Sequence, residues 1–368
     1  MNQLFERFIV AGALFLLGTS IGFACTDIRL VAQDGTVMIG RTLEFAEQAN
    51  SNLISSARQK AFKSTAANGK AGLSWDAKYG YVFIDGFNMG VPMDGMNEEG
   101  LSIEALYLPG IAEYQTVPEG KEQQALPYYN FGDWVLGNFK TVEEVRKALP
   151  DVYVYAATLP QFKDFVFPLH FAIHDASGKG IVVEYVKGEL TIYDNEIGVL
   201  TNSPTYDWHI TNLRNYVNLS PTTPKPIIVD GMTFAATGQG AGMVGLPGDI
   251  SPPSRFVKMA VMLKTVIQPK NATEALNLSQ HIINNVDIPL GFVREAQQEN
   301  TATNELTQWT VFKDLTNKKF YYRTYDDLTL RSVDLAKIDF SANAQPLKMP
   351  IASEQYIVDM TQQFTGKK

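Results

Sequence analysis

Three pairs of alternating apolar and polar runs, each joined by a tight-turn sequence, constrain this chain's fold more than any other feature. Asp27-Ile28-Arg29-Leu30-Val31 and Val37–Phe45 flank Gln33-Asp34-Gly35-Thr36. Leu169–Asp175 and Gly180–Lys187 flank Ala176-Ser177-Gly178-Lys179. Thr307–Phe312 and Lys319–Tyr325 flank Asp314-Leu315-Thr316-Asn317. Period-two runs around such turns are the pattern of antiparallel hairpins. Tyr79–Phe87 and Leu101–Leu108 also read as strands, the second entered through a turn at Asn97-Glu98-Glu99-Gly100. Helical patterns lie between the hairpins. Thr141-Val142-Glu143-Glu144 has the form of a capping box ahead of Val145 and Leu149. Ser254–Gln268 carries Phe256, Met259, Ala260, Met262, Leu263 and Val266 at helical spacing, and Pro269 stops it. Asn271-Ala272-Thr273-Glu274 caps a further helix running to about 285. Residues 46–75 are richer in Ala, Ser, Asn and Lys and read as a long loop or loosely structured excursion. Hairpins, then helices, then hairpins make an α+β domain, not an alternating βαβ one.

The only cysteine, Cys25, stands two residues ahead of the first run. Upstream, Met1–Arg7 is polar and ends in a basic residue, Phe8–Phe23 is mostly apolar, and Gly22-Phe23-Ala24 presents small residues where a signal peptidase inspects them. Residues 1–24 therefore read as a cleaved signal peptide and 25–368 as a single exported domain, periplasmic or secreted. Cutting after Ala24 makes Cys25 the first residue. Its thiol then sits beside a free α-amine, so nucleophile and base lie on one residue. Two other readings of a lone cysteine stay open here. One is an inert buried thiol; the other is a lipid-anchored cysteine, with which the bulky Phe23 fits poorly.

A net charge of −8 and the lack of any Lys/Arg run argue against nucleic acid or an anionic membrane surface as partner. After Phe23 no apolar stretch approaches the roughly 20 residues that span a bilayer. One cysteine leaves no internal disulfide framework. The histidines, His170, His174, His209 and His281, form no HExxH or His-x-His pair, and neither GxGxxG nor GxxxxGK[ST] occurs. Neither metal nor nucleotide cofactor is expected. His170 and His174, four apart in one strand, read as packing residues, and Trp208 and Trp309 as core. The Met-containing face at 256–266 reads as helix packing. Arg41, on the second arm of the first hairpin, can lie across from the first arm and near Cys25. A cation within about 4–6 Å favours thiolate over thiol.

Taken in order, several short motifs resemble the choloylglycine hydrolase family of bile salt hydrolases and penicillin V acylases, almost from end to end of residues 25–368. They are Cys25-Thr26, Arg41 in Gly-Arg-Thr-Leu-Glu-Phe, Asp94-Gly95-Met96-Asn97-Glu98-Glu99-Gly100-Leu101, and Leu200-Thr201-Asn202-Ser203-Pro204. Trp208, Thr211-Asn212-Leu213, Gly245-Leu246-Pro247-Gly248-Asp249, Ser254-Arg255-Phe256, Thr307-Gln308-Trp309-Thr310, Asp314 and Tyr325 complete the set. The resemblance implies the four-layer αββα sandwich of N-terminal-nucleophile hydrolases and a cofactor-free amidase acting on a linear C–N bond. It implies Cys25 as nucleophile, Arg41 and Arg255 as active-site arginines, and Asn202 as a side-chain donor to the oxyanion. The Tyr107 backbone N–H would be the second donor, and its ring would shape an apolar acyl pocket. Glu44 stands where the family usually has an aspartate that orients the α-amine, one methylene longer here. Tyrosine rather than asparagine at 107, with export, points to penicillin V or acyl-homoserine lactones as the small-molecule amide; conjugated bile salts are the alternative. A non-catalytic exported binding protein or lipoprotein is the reading from a different class. Family relatives tend to be homotetramers.

Overall fold

The computed structural model describes residues 23–159, 165–294 and 304–366. The expected signal segment up to residue 22 lies outside them. The first hairpin forms as β1 (Phe23–Val31) and β2 (Val37–Phe45), paired in register along their whole length. The chain continues through β3 (Asn52–Ser56), β4 (Ala61–Thr65), β5 (Ala71–Asp76), β6 (Tyr81–Ile84), β7 (Asp94–Asn97) and β8 (Ser102–Tyr107). A short parallel ribbon, β9 (Ala125–Pro127) with β10 (Tyr153–Tyr155), brackets α1 (Phe131–Asn138) and α2 (Val142–Ala148). Next come β11 (Leu169–His174), β12 (Gly180–Val186), β13 (Glu189–Asp194), β14 (Val199–Leu200) and α3 (Tyr206–Asn212). An exposed hairpin, β15 (Ile227–Val229) and β16 (Met232–Phe234), precedes α4 (Pro252–Thr265) and α5 (Ala272–Ile283). The chain ends with β17 (Val293–Arg294), β18 (Asn304–Asp314), β19 (Lys319–Thr324), β20 (Arg331–Asp334), β21 (Lys348–Pro350) and α6 (Thr361–Thr365).

The strands build two large antiparallel sheets. One has the order β14-β1-β2-β18-β19-β20, with β17 on β18; the other runs β13-β12-β11-β8-β7-β6-β3-β21. One buried cluster runs from Phe256 and Met259 of α4 and Ile282 of α5, through Ile28, Met38 and Phe312 of the first sheet, to Met96 and Leu106 of the second. Another joins the far face of the second sheet, through Ile103, Phe171 and Val183, to Phe131 and Val135 of α1 and Val145 of α2. The layers are thus helix, sheet, sheet, helix: the α+β, four-layer αββα sandwich expected from the resemblance.

The local signals formed as read. Thr141 Oγ1 accepts from the Glu144 N–H at 3.2 Å, and Asn271 Oδ1 accepts from the Glu274 N–H at 3.1 Å. Asn97 Oδ1 accepts from the N–H groups of Glu99 and Leu101, both at 3.0 Å, and closes the turn between β7 and β8. Two expectations fail. Residues 46–75 are not a loop: β3 pairs with β6 and β21, and β4 pairs with β5. The partners of β3 lie far away in sequence, and the β4–β5 hairpin is largely exposed, so neither shows a clear apolar alternation. Trp208 is not core either. It is 43 % exposed on α3, whereas Trp309 is buried as expected.

Candidate active site

Residues directly opposite in an antiparallel ladder share a face of the sheet. Cys25 faces Leu43 and Asp27 faces Arg41, so Cys25, Asp27 and Arg41 all project between the two sheets. Glu44, out of phase by one, projects from the opposite face, toward the α4 layer. Arg41 is fully buried. Its Nη2 donates to the Ala105 carbonyl at 2.7 Å and approaches Cys25 Sγ at 3.8 Å, while the guanidinium lies over the Trp309 ring, 4.6 Å from its centroid. Sequence spacing thus brought the arginine to the sulfur. The expected lowering of the thiol pKa does not follow in this form. Burial pushes the Cys25 thiol up, and the opposing pull of Arg41 and Arg255 does not cancel it. Here β1 runs on through Ala24 and Phe23, opposite Glu44 and Phe45.

The main chain of Cys25 is gripped separately. Asn202, just beyond β14 and hence beside β1, accepts the Cys25 N–H on Oδ1 at 2.7 Å. The same oxygen accepts from Arg255 Nη2 at 2.7 Å, while Asn202 Nδ2 donates to the Tyr107 carbonyl at 2.7 Å. Arg255, in the first turn of α4, also donates through Nη1 to the Cys25 carbonyl at 2.5 Å and to Thr26 Oγ1 at 2.6 Å. Its place near a helix N-terminus, unfavourable to the dipole, is explained by these bonds. Burial lowers its pKa, with the Glu44 and Cys25 charges acting the other way.

Three of these residues make other contacts in this structure. Asn202 offers its oxygen to Cys25, and its N–H is engaged by Tyr107. Glu44 does not bond the Cys25 nitrogen; its Oε1 accepts from Thr307 Oγ1 at 3.0 Å, and its Oε2 has no hydrogen-bond partner among the described residues. Burial raises the Glu44 carboxyl to about 7, against the pull of Arg255. The Tyr107 ring packs in the buried cluster that contains Phe167 and Phe171. An apolar cavity is lined instead by Met89, Met93, Ala105, Tyr128, Tyr129, Leu159, Phe167 and Phe171. Ala105 thus borders the cavity while its carbonyl holds Arg41.

Sequence reasoning missed residues that support this constellation. His209 Nε2 donates to the Asn202 carbonyl at 2.9 Å, and its ring stacks on Phe256, 4.6 Å between centroids. Burial lowers its pKa to about 4, so it is a neutral spacer near pH 7. His174 is more than packing: its Nε2 lies 2.8 Å from Asp27 Oδ2 and 3.7 Å from Glu104 Oε2. Among the described residues these three have the donor types of a cation site. The Lys313 ammonium supplies the positive charge there, bonded to Glu104 and to both oxygens of Asp94. Nothing in the local sequence of β18 marks Lys313 as buried.

Residues 25–349 match the family described as linear amide C–N hydrolases, choloylglycine hydrolase family. A bile salt hydrolase/transferase of Clostridium perfringens is 36% identical over 324 residues, covering 87% of this chain and 94% of that protein. A penicillin V acylase of Pectobacterium atrosepticum is 26% identical over 347 residues, covering 88% and 84%. Among solved structures, a mutant of the conjugated bile acid hydrolase from Clostridium perfringens is similar with a TM-score of 0.80 and 33% identity, over 91% of this chain and 99% of that one. Penicillin V acylase from Agrobacterium tumefaciens is similar with a TM-score of 0.72 and 25% identity, over 89% and 92%.

Proposed function

We propose that this chain, which belongs to the choloylglycine hydrolase family of linear amide C–N hydrolases, breaks its amide bond through a thioester on Cys25. The observation that carries the reading is the convergence on one residue: Arg41 Nη2 stands 3.8 Å from the sulfur, and Asn202 Oδ1 stands 2.7 Å from the backbone nitrogen. A site that orients both atoms suits a residue that uses both. Cleavage after Ala24 would turn the nitrogen into an α-amine, of reference pKa about 7.7–8.0. The family match begins at Cys25, in keeping with that cut.

In the proposed cycle the α-amine takes the thiol proton and the thiolate attacks the amide carbonyl. Asn202 Nδ2, turning from the Tyr107 carbonyl, and the Tyr107 N–H hold the oxyanion. The protonated amine gives its proton to the leaving nitrogen as the C–N bond breaks. Water then attacks the thioester, losing a proton to the same amine, and the carboxylic acid leaves as the thiol is restored. Arg255 holds the Cys25 main chain, and Glu44 supplies a carboxyl on the amine's side of the sheet.

The apolar residues beside Ala105 support an amide with an apolar acyl part. Tyr107 and the signal-like leader favour the penicillin V and acyl-homoserine lactone side, in an exported protein. The 36% identity to the Clostridium perfringens enzyme favours conjugated bile salts as the second reading. Values of kcat/KM for penicillin V, acyl-homoserine lactones and glycine or taurine bile conjugates decide between them. The mechanism is tested on the exported protein: mass spectrometry should find Cys25 as the free N-terminus, and Cys25→Ser should lose turnover. A diacylglyceryl group on Cys25, or native-rate release of acid by Cys25→Ser, would sink it.

A further inference from the structure

The motif opening at Asp94 has no part in the mechanism above, yet Asp94 is fully buried and meets the guanidinium of Arg41. Among the described residues it is the only carboxylate within ion-pair range of Arg41, and it stops short. Its Oδ2 lies 3.9 Å from Arg41 Nε, and neither Nε nor Nη1 has a hydrogen-bond partner among the described residues. A buried guanidinium and carboxylate free to move would close to about 2.7–2.9 Å, often through two bonds. Asp94 is bound instead by the Lys313 ammonium. Projecting from β18, it donates to Asp94 Oδ1 and Oδ2, both at 2.8 Å, and to Glu104 Oε1 of β8. Two carboxylates on one ammonium outweigh the cost of its burial and hold its pKa above the usual range.

We propose that Lys313 is a positioning residue for the amide hydrolysis: it pins Asp94 at arm's length, so that Arg41 remains turned to the Cys25 sulfur. The idea rests on Cys25 being the nucleophile. Asp94 and a Cys25 thiolate are rival anions for one guanidinium, and Lys313 decides the contest by occupying the first of them. The other charged groups around the pair are laid out consistently. Asp27 of β1 and Glu104 are each raised to about 7 by burial, and His174 of β11 is lowered to about 3 by burial and is neutral near pH 7. Arg29, a donor only, faces His174 Nδ1 at 3.5 Å, so His174 carries its proton on Nε2, toward Asp27. Glu44 of β2 and Arg255 of α4 reach Cys25 from the other face of the sheet. Arg41 also acts on Asp27 and Glu44 through its charge, but among the described residues only Asp94 comes within ion-pair range of it.

The test compares wild type, Lys313→Met and Lys313→Arg, each as processed full-length enzyme. It reads the pH midpoint of Cys25 alkylation by iodoacetamide, kcat and KM separately, and the crystal structure of Lys313→Met. Without the ammonium, Asp94 should close on Arg41 to hydrogen-bond distance and Nη2 should leave the sulfur. The alkylation midpoint should rise and kcat should fall about tenfold or more, with KM within about twofold; Lys313→Arg should restore most of kcat. The proposal is overturned if Arg41 is unmoved in Lys313→Met, if its midpoint is that of wild type, or if the loss falls on KM alone. Should Lys313→Met not fold, Asp94→Asn removes the rival anion. Its midpoint should then fall below wild type, and a rise overturns the idea. Wild-type enzyme that keeps turning over after alkylation of Cys25 overturns the nucleophile reading itself, and the proposal with it.

Discussion

Asn202 is the residue in which the site's chemistry is most concentrated, because one oxygen takes two donors while the nitrogen of the same amide reaches Tyr107. That division sets its amide orientation, since the Cys25 N–H and Arg255 can only donate and a carbonyl can only accept. Asn202→Asp keeps the shape and the acceptor but removes the donor. It also faces a carboxylate oxygen with the Tyr107 carbonyl. We expect kcat to fall about a hundredfold or more, the scale of a lost oxyanion donor, with KM changed much less; equal losses in both would assign Asn202 to substrate binding. At this scale the sequence was informative about which residues meet and poor on how they meet. Cys25, Arg41, Asn202 and Arg255 converge as their motifs implied. The direction of the thiol shift and the idle oxygen of Glu44 depend on burial and strand phase, which motifs do not report.

Among the elements, α1 shows how burial reverses the habit of an acidic residue. Asp133 lies in the helix's first turn, where its charge suits the dipole, and its Oδ1 accepts from Tyr81 Oη at 2.6 Å. Burial still raises its pKa from 3.8 to about 6, against the hydrogen bond from Tyr81. The folded chain therefore holds this proton more tightly than the unfolded one. The resulting stability is complete below about pH 3.8 and is lost as pH rises to about 6. Asp133→Asn keeps an acceptor for Tyr81 without the charge. It should match wild type near the acid end of that window and exceed it above, by about 3 kcal/mol at most, in urea unfolding at each pH. A constant difference across the window would show that Asp133 does not titrate there. Elements with their own signals were legible: the capped starts of α2 and α5 and the first hairpin fall where Thr141, Asn271 and Asp34-Gly35 put them. β3 was not, because its pairing is supplied by β6 and β21.

Across the whole molecule, the site depends on four layers packed at a fixed spacing. At Gly40, β2 packs tightly against α5: a Cβ there would stand 3.1 Å from Ile283 Cγ1 and 3.2 Å from Ile28 Cγ1. Gly40→Val should therefore push the helix layer off the sheet, costing about 1–3 kcal/mol by overpacking, measurable as a lower urea midpoint with an unchanged slope. A variant as stable as wild type would mean that α5 yields without strain. By itself the sequence determined the α+β class, the boundaries of elements that carry their own caps and turns, and the chemical types gathered around Cys25. These follow from short-range preferences and from the order of motifs along the chain. Only the tertiary structure decided that Glu44 and Cys25 project from opposite faces of one sheet and that Trp208 is exposed. It alone placed a lysine from β18 between carboxylates of β7 and β8. Those outcomes are set by which strands become neighbours and which faces meet, and by the strength that buried charges gain where water is excluded.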